Sequence, residues 1–215
     1  MTIPHRSKAG GNRTIIYVDG FNLYYGALRK TPYRWLDLNI LCKFLLPGNE
    51  IREIKYFTAL VSGRPNDPGQ PVRQQAYLRA LQSLPNVSVY LGHFLTHKVW
   101  MPRADAPYRN VRVIKTEEKG SDVNLAAELL HDAHRNRFDV AAVVSNDSDL
   151  LAPIRIVKNE LNKHIGVLNP HKRPSQVLHQ CVDFIKPIRS GVLSAAQFPD
   201  ELTDQTGTFF KPKSW

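Results

Sequence analysis

Two short apolar runs, each ending at a carboxylate, constrain this chain more than any other feature. The first is TIIYVD at 14–19 and the second is DVAAVVSND at 139–147. Both are rich in β-branched residues and lack alternating polar positions, the pattern of strands covered on both faces. Strands of that kind lie parallel and need crossover connections, and a stretch with helical spacing follows each run. The repeated order of strand and helix predicts an α/β fold, a three-layer α/β/α sandwich with a mostly parallel central sheet. Open sheets of this kind bind ligands just past the carboxyl ends of their strands. Asp19 and Asp147 stand at such ends.

The same periodicities place the other elements. Strands are expected at 13–18, 53–61, 87–95, 111–115, 140–145 and 164–168, with an edge strand at 183–188. Helices are expected from Gly20, over 36–46 and 72–84, over 121–135, from Pro153, and over 175–181. In the helix at 121–135, Val123, Ala126, Ala127, Leu130 and Ala133 share one face at helical spacing and are expected to pack on the sheet. The segment 97–110, with two prolines, reads as an excursion from the sheet, a hairpin or flap. Residues 1–13 read as a flexible basic arm, 14–189 as one domain and 190–215 as a C-terminal tail.

Charge narrows the partner class. The chain of 215 residues has 29 Lys and Arg against 19 Asp and Glu, a formal charge of +10. Such an excess steers polyphosphates in and displaces their counterions. The two cysteines, Cys42 and Cys181, form no CxxC and no disulfide framework, so the expected location is cytoplasmic. The N-terminus lacks the apolar core of a secretory signal, and no apolar run is long enough to span a bilayer. No GxGxxG or GxxxxGK[ST] motif appears, so no nucleotide cofactor is expected. The histidines form no HExxH, which argues against zinc.

Three acidic segments carry the chemistry: YVDGFN at 17–22, TEEKGSD at 116–122 and SNDSD at 145–149. A helix cap alone explains a lone Asp after a strand. It does not explain five consecutive oxygen-bearing side chains, Ser145, Asn146, Asp147, Ser148 and Asp149. Gathered carboxylates repel one another, and a hard divalent cation relieves the repulsion through oxygen ligands. Asp19, Asp122 and Asp147 are therefore the candidate metal ligands, with Asp149, Asn22 and Ser145 as further catalytic positions. Glu117 and Glu118 are adjacent in an extended segment, so at most one of them faces the site. Lys119, Arg109, Arg112, Lys172 and Arg173 are the candidate substrate contacts, and His171 lies beside the last two. One of Tyr24 and Tyr25 is expected to pack in the core.

The blocks YVDGFNLYYG, KGSDVNLAAELLHDA and VVSNDSDLLAPI resemble the signatures of the NYN domain, a branch of the PIN-like nuclease superfamily that includes LabA-like proteins. The resemblance spans 15–188. It implies a PIN-like fold, an acidic site for Mg²⁺ or Mn²⁺ and ribonuclease activity, with Asp19, Asn22, Asp122, Asp147 and Asp149 at the matching positions. One departure is visible: the usual Gly of SGDSD is Asn146 here, which either crowds the turn or adds a ligand.

The expected function is hydrolysis of single-stranded or structured RNA by metal-activated water. The alternatives are a non-catalytic RNA-binding module on the same scaffold and a pyridine-ring hydroxylase, the latter ranked low because no flavin, haem or iron triad is visible. Exposed Trp100 and the aromatic C-terminus suggest a partner surface, and a homo-oligomer is left open.

Overall fold

A computed structural model describes residues 11–213 and 215. All but the last residues of the expected N-terminal arm lie outside them. β1 (Asn12–Asp19) runs into α1 (Gly20–Leu23), which widens into a π-helical turn over Tyr24–Leu28. Then come α2 (Leu38–Leu45), β2 (Asn49–Ala59), α3 (Gln70–Gln82), β3 (Val87–Pro102), β4 (Asn110–Lys119) and α4 (Ser121–His134). β5 (Val140–Val144) is followed by a 3₁₀ turn over Ser148–Leu150, α5 (Leu151–Arg155), a π turn over Ile156–Glu160, and β6 (His164–Asn169). The chain continues through α6 (Gln176–Cys181), β7 (Phe184–Pro187), α7 (Ser190–Ala195), β8 (Glu201–Asp204) and β9 (Gly207–Phe210).

The seven-stranded sheet has the order β4-β3-β2-β1-β5-β6-β7. Every pairing in it is parallel except β3 with β4. The α/β expectation and the mostly parallel sheet therefore hold. Alternation along β1 sorts the two layers. Ile16 and Val18 pack with α2, α3 and Trp35, while Ile15 and Tyr17 pack with α4, Phe138 and Ile154. From β1 the chain moves outward to β4 and then returns to β5 on the other side of β1. That reversal opens a crevice at the carboxyl ends of β1 and β5.

Several boundaries depart from the sequence reading. The proline-containing segment is the hairpin expected, but its strands are longer than read. β3 runs on through Pro102 and pairs with β4 from His93↔Lys119 to Pro102↔Asn110. Pro102 ends its strand and Pro107 sits in the turn, both positions where a missing N–H does no harm. β2 accompanies β3 only as far as Ala59↔Gly92, so beyond that point the hairpin is a two-stranded arm.

The face of α4 is also different. Its buried positions are Ser121, Leu125, Leu129, Asp132 and Ala133, and Val123 is exposed. A counting of apolar positions misses this because the stripe includes a buried acid. Asp132 meets Lys55 Nζ at 2.5 Å, Arg137 Nη1 at 2.7 Å and Tyr17 Oη at 2.7 Å. The segment from Ser190, read as tail-like, folds back on the α2–α3 layer. Trp35 donates its indole N–H to the Pro199 carbonyl at 2.8 Å and packs against Phe198 and Trp215.

Candidate functional site

Asp19 leaves β1 with its backbone still extended, and its Oδ1 accepts the Asn22 N–H at 2.9 Å. This caps α1, so the carboxylate serves the helix whatever else it does. Its second oxygen accepts the Ser145 hydroxyl at 3.0 Å. The same hydroxyl oxygen accepts the Asp147 N–H at 3.0 Å. Asp147 caps the next turn through Oδ1, which accepts the Asp149 N–H at 2.9 Å. β1 and β5 are adjacent and parallel, so the caps Asp19 and Asp147 share the hydroxyl of Ser145, which lies 126 residues from Asp19 in sequence.

Gly20 permits this approach. A Cβ there would meet Tyr56 Oη at 2.7 Å and the Phe57 carbonyl at 2.8 Å. Any side chain would push β1 and β2 apart.

Asp122 enters from α4. Its N-terminal cap is Gly120, in the left-handed region at φ 97°. Glu118 caps the helix end, accepting the Ser121 N–H at 3.0 Å and its hydroxyl at 2.8 Å. Asp122 is thus left exposed and available. Of the adjacent glutamates, Glu118 lies on the Asp122 side, while Glu117 pairs with Lys115 at 2.7 Å and Lys119 at 3.5 Å.

The charges interact. Burial raises the Asp19 carboxyl, and the Asp122 and Asp147 charges raise it further, to about 6, against the bonds from Asn22 and Ser145. Burial also raises Asp122, followed by the charges of Asp147, Glu118 and Asp149. Four aspartates from three elements therefore sense one another across the crevice. Among the described residues, no three His, Cys, Asp or Glu side chains are grouped so as to hold a metal ion. The acids lie within electrostatic reach, not in one closed coordination shell. The all-oxygen donor set fits Mg²⁺ or Mn²⁺, since Mg²⁺ takes one or two carboxylates and keeps several waters.

A second network joins the crevice to the loop after β6. Asn22 Oδ1 accepts the Asn146 N–H at 3.0 Å and lies 2.9 Å from His171 Nε2. Asn146 donates to the Arg173 carbonyl at 3.1 Å and accepts the Ser175 N–H at 2.6 Å. Buried Asn169 brackets His171, accepting its N–H at 3.0 Å and donating to its carbonyl at 2.9 Å. The side chain that departs from the usual Gly neither crowds the turn nor adds a ligand. It anchors the loop that carries Lys172 and Arg173. Asn169 was not legible as a site residue; the one signal was its position at the end of a buried strand.

Not every candidate reaches the crevice. Arg109 sits in the hairpin turn, with its guanidinium 5.9 Å from the Tyr108 ring centre. Arg112 stands opposite Trp100, eight residues before Gly120 along β4, on the order of 25 Å away at the rise of a strand. Lys119 is held toward Glu117 because it lies on the ribbon face opposite Glu118. The extended hairpin explains all three: a loop would have curled back, and a paired ribbon cannot.

The comparisons with known proteins agree on the scaffold. The NYN domain profile matches residues 13–194. A curated relative, 6-hydroxy-3-succinoylpyridine 3-monooxygenase HspA of Pseudomonas putida, is 35% identical over 94% of this chain and 75% of its own length. A crystal structure of a protein of unknown function from Vibrio parahaemolyticus superposes with a TM-score of 0.58 at 22% identity, over 86% of this chain and 97% of that one. That last likeness concerns the fold alone.

Proposed function

We propose, from the premise that this chain belongs to the NYN domain family, that it is a metal-dependent ribonuclease acting at the β1–β5 crevice. Family membership implies a PIN-like nuclease. The observation that carries the reading is the meeting of Asp19 and Asp147 on one Ser145 hydroxyl at the end of β1 and β5, with the Asp122 charge felt at the same carboxyl. An acid pushed to about 6 by burial and like charge is a poor structural choice and a good cation ligand. Of Asp19, Asp122 and Asp147, one or two would bind the ion directly and the rest would reach it through its retained waters, with Asp149 assisting. A divalent cation there would neutralise a phosphate and acidify an attacking water.

The remaining work falls to the chain's own groups. Ser145 fixes the Asp19 and Asp147 carboxylates relative to each other through one hydroxyl. Asn22 holds the SNDSD turn by accepting the Asn146 N–H. Lys172 and Arg173 are exposed on the anchored loop, placed to meet a phosphate backbone. On the arm, Lys98, Trp100 and Arg112 share the ribbon face of Phe94, whose ring packs edge-on to Phe21 of α1 at 5.8 Å. A cationic track with an aromatic platform suits an unpaired strand.

The test is cleavage of a labelled single-stranded RNA with Mn²⁺. Asp19→Asn and Asp147→Asn should abolish it while circular dichroism stays that of the wild type. Undiminished cleavage by the double variant, or in excess EDTA, rules the reading out. A non-catalytic module would show salt-dependent RNA binding and no turnover.

A ring hydroxylase is the second reading, favoured by the 35% identical relative and by an aromatic cleft beside Gly20. It predicts oxygen uptake coupled to NADH oxidation when 6-hydroxy-3-succinoylpyridine is supplied.

A further inference from the structure

The cleft beside Gly20 contains about 670 Å³ of empty space, part of it open to solvent. Its walls come from α1 and its π turn, from β2 and from α3, with Trp215 across one side. Tyr24, Tyr25, Tyr56, Tyr77 and Trp215 face it. Tyr25 packs edge-on to Tyr24 at 5.3 Å, Tyr56 edge-on to Tyr77 at 6.2 Å, and Tyr77 lies 5.6 Å from Trp215. So many rings around one opening favour a flat, apolar guest held by stacked and edge contacts.

Two polar groups in the wall are unspent. Arg34 Nε is buried and has no hydrogen-bond partner among the described residues. A buried donor without an acceptor is costly, so such a group calls for one. The guanidinium is always charged, which makes an anionic acceptor the fitting one. Tyr56 Oη likewise makes no hydrogen bond among the described residues, although its ring is nearly buried. Other polar wall groups have partners: Gln74 bridges Val61 and Ala59, Arg73 pairs with Asp67, and Tyr77 Oη donates to the Leu36 carbonyl.

We propose that this cleft binds one planar aromatic ring bearing an anionic group, with the ring among the tyrosines and the anion on Arg34. Gly20 belongs to the wall and directly follows Asp19, so a guest here lies next to the acidic crevice. Such chemistry has two sources, a nucleobase with its phosphate or a free aromatic acid. The proposal shares this cleft with the hydroxylase reading and rests on it there; it is independent of the ribonuclease reading, because no residue of the cleft is one of the acids.

Titration of intrinsic tryptophan fluorescence tests it, in EDTA so that cation binding plays no part. The probes are 5′-UMP and nicotinate, with inorganic phosphate and cyclohexanecarboxylate as anions lacking an aromatic ring. A saturable change with UMP or nicotinate, about tenfold tighter than with either control, is the expected result. UMP alone assigns the site to a nucleobase, and nicotinate alone assigns it to a free acid. Arg34→Met and Tyr25→Ala should each weaken that binding about tenfold. Tyr25 is half exposed, so the second variant keeps the test valid if the first does not fold. No saturation with either aromatic probe, equal binding of phosphate alone, or folded variants that bind as the wild type does overturns the proposal.

Discussion

Asn146 is the residue whose type matters most for its position. Its amide spans Arg173 and Ser175, so a turn beside the acids is tied to a basic loop. Replacing it with the Gly more usual at this place removes two bonds worth about 1 kcal/mol each. The expected result for Asn146→Gly is a KM for RNA raised about five- to thirtyfold, with kcat little changed. An unchanged KM would show that Lys172 and Arg173 take no part in binding. Asp19 carries a pH prediction. Its carboxyl is raised to about 6 in the folded chain, above the ordinary value. The stability this gives is fully present below the unfolded pKa and is lost as pH rises through about 6. Protons and a cation compete for the same oxygens, so cation affinity rises over that window. The thermal shift from added Mn²⁺ should therefore be small at about pH 5, larger at about pH 7, and absent at both in Asp19→Asn.

At the scale of elements, the β3–β4 arm stands out. Past Gly92 no third strand pairs with it among the described residues, and isolated two-stranded ribbons are marginal. Exposed Trp100, Met101, Val111 and Ile114 on such a ribbon are groups placed for contact. Trp100→Ala should weaken binding of single-stranded RNA by about 1–3 kcal/mol, the worth of one stacked base, with no change in Tm. Reversing both Lys98 and Arg112 to Glu should flatten the dependence of log affinity on log salt by about two phosphates. Intact salt dependence in that variant would place the RNA track elsewhere. The sequence showed the two halves of this arm but not their union. The prolines marked a hairpin or flap, and the pairing shows that it is a hairpin whose prolines fall where a ribbon tolerates them.

Across the whole molecule, a buried ion network joins the sheet to α4. Lys55 is fully buried and lies 2.5 Å from Asp132 and 2.7 Å from Glu128. Burial pushes the Asp132 carboxyl up, but bonds from Lys55, Tyr17 and Arg137 outweigh it and hold it low. Removing one partner of such a pair leaves a buried charge and costs about 3–5 kcal/mol. Lys55→Met should lose that much in urea unfolding, and the double variant Lys55→Met, Asp132→Leu should recover most of it. Equal losses in the single and double variants would mean that the network is not the cause. Among the described residues, no helix is long and apolar enough to cross a membrane.

The α/β architecture, the parallel sheet and the acidic blocks were legible in the residues because each depends on local pattern. Buried strands need unbroken apolar runs, and ligand-binding ends need polar residues directly after them. What the residues could not show was which side chains meet. That Ser145 joins Asp19 to Asp147, that Asn146 anchors a distant loop and that Lys119 turns away all follow from the strand order and the straightness of a paired ribbon. Those are set by contacts between segments far apart in sequence, which no local pattern encodes.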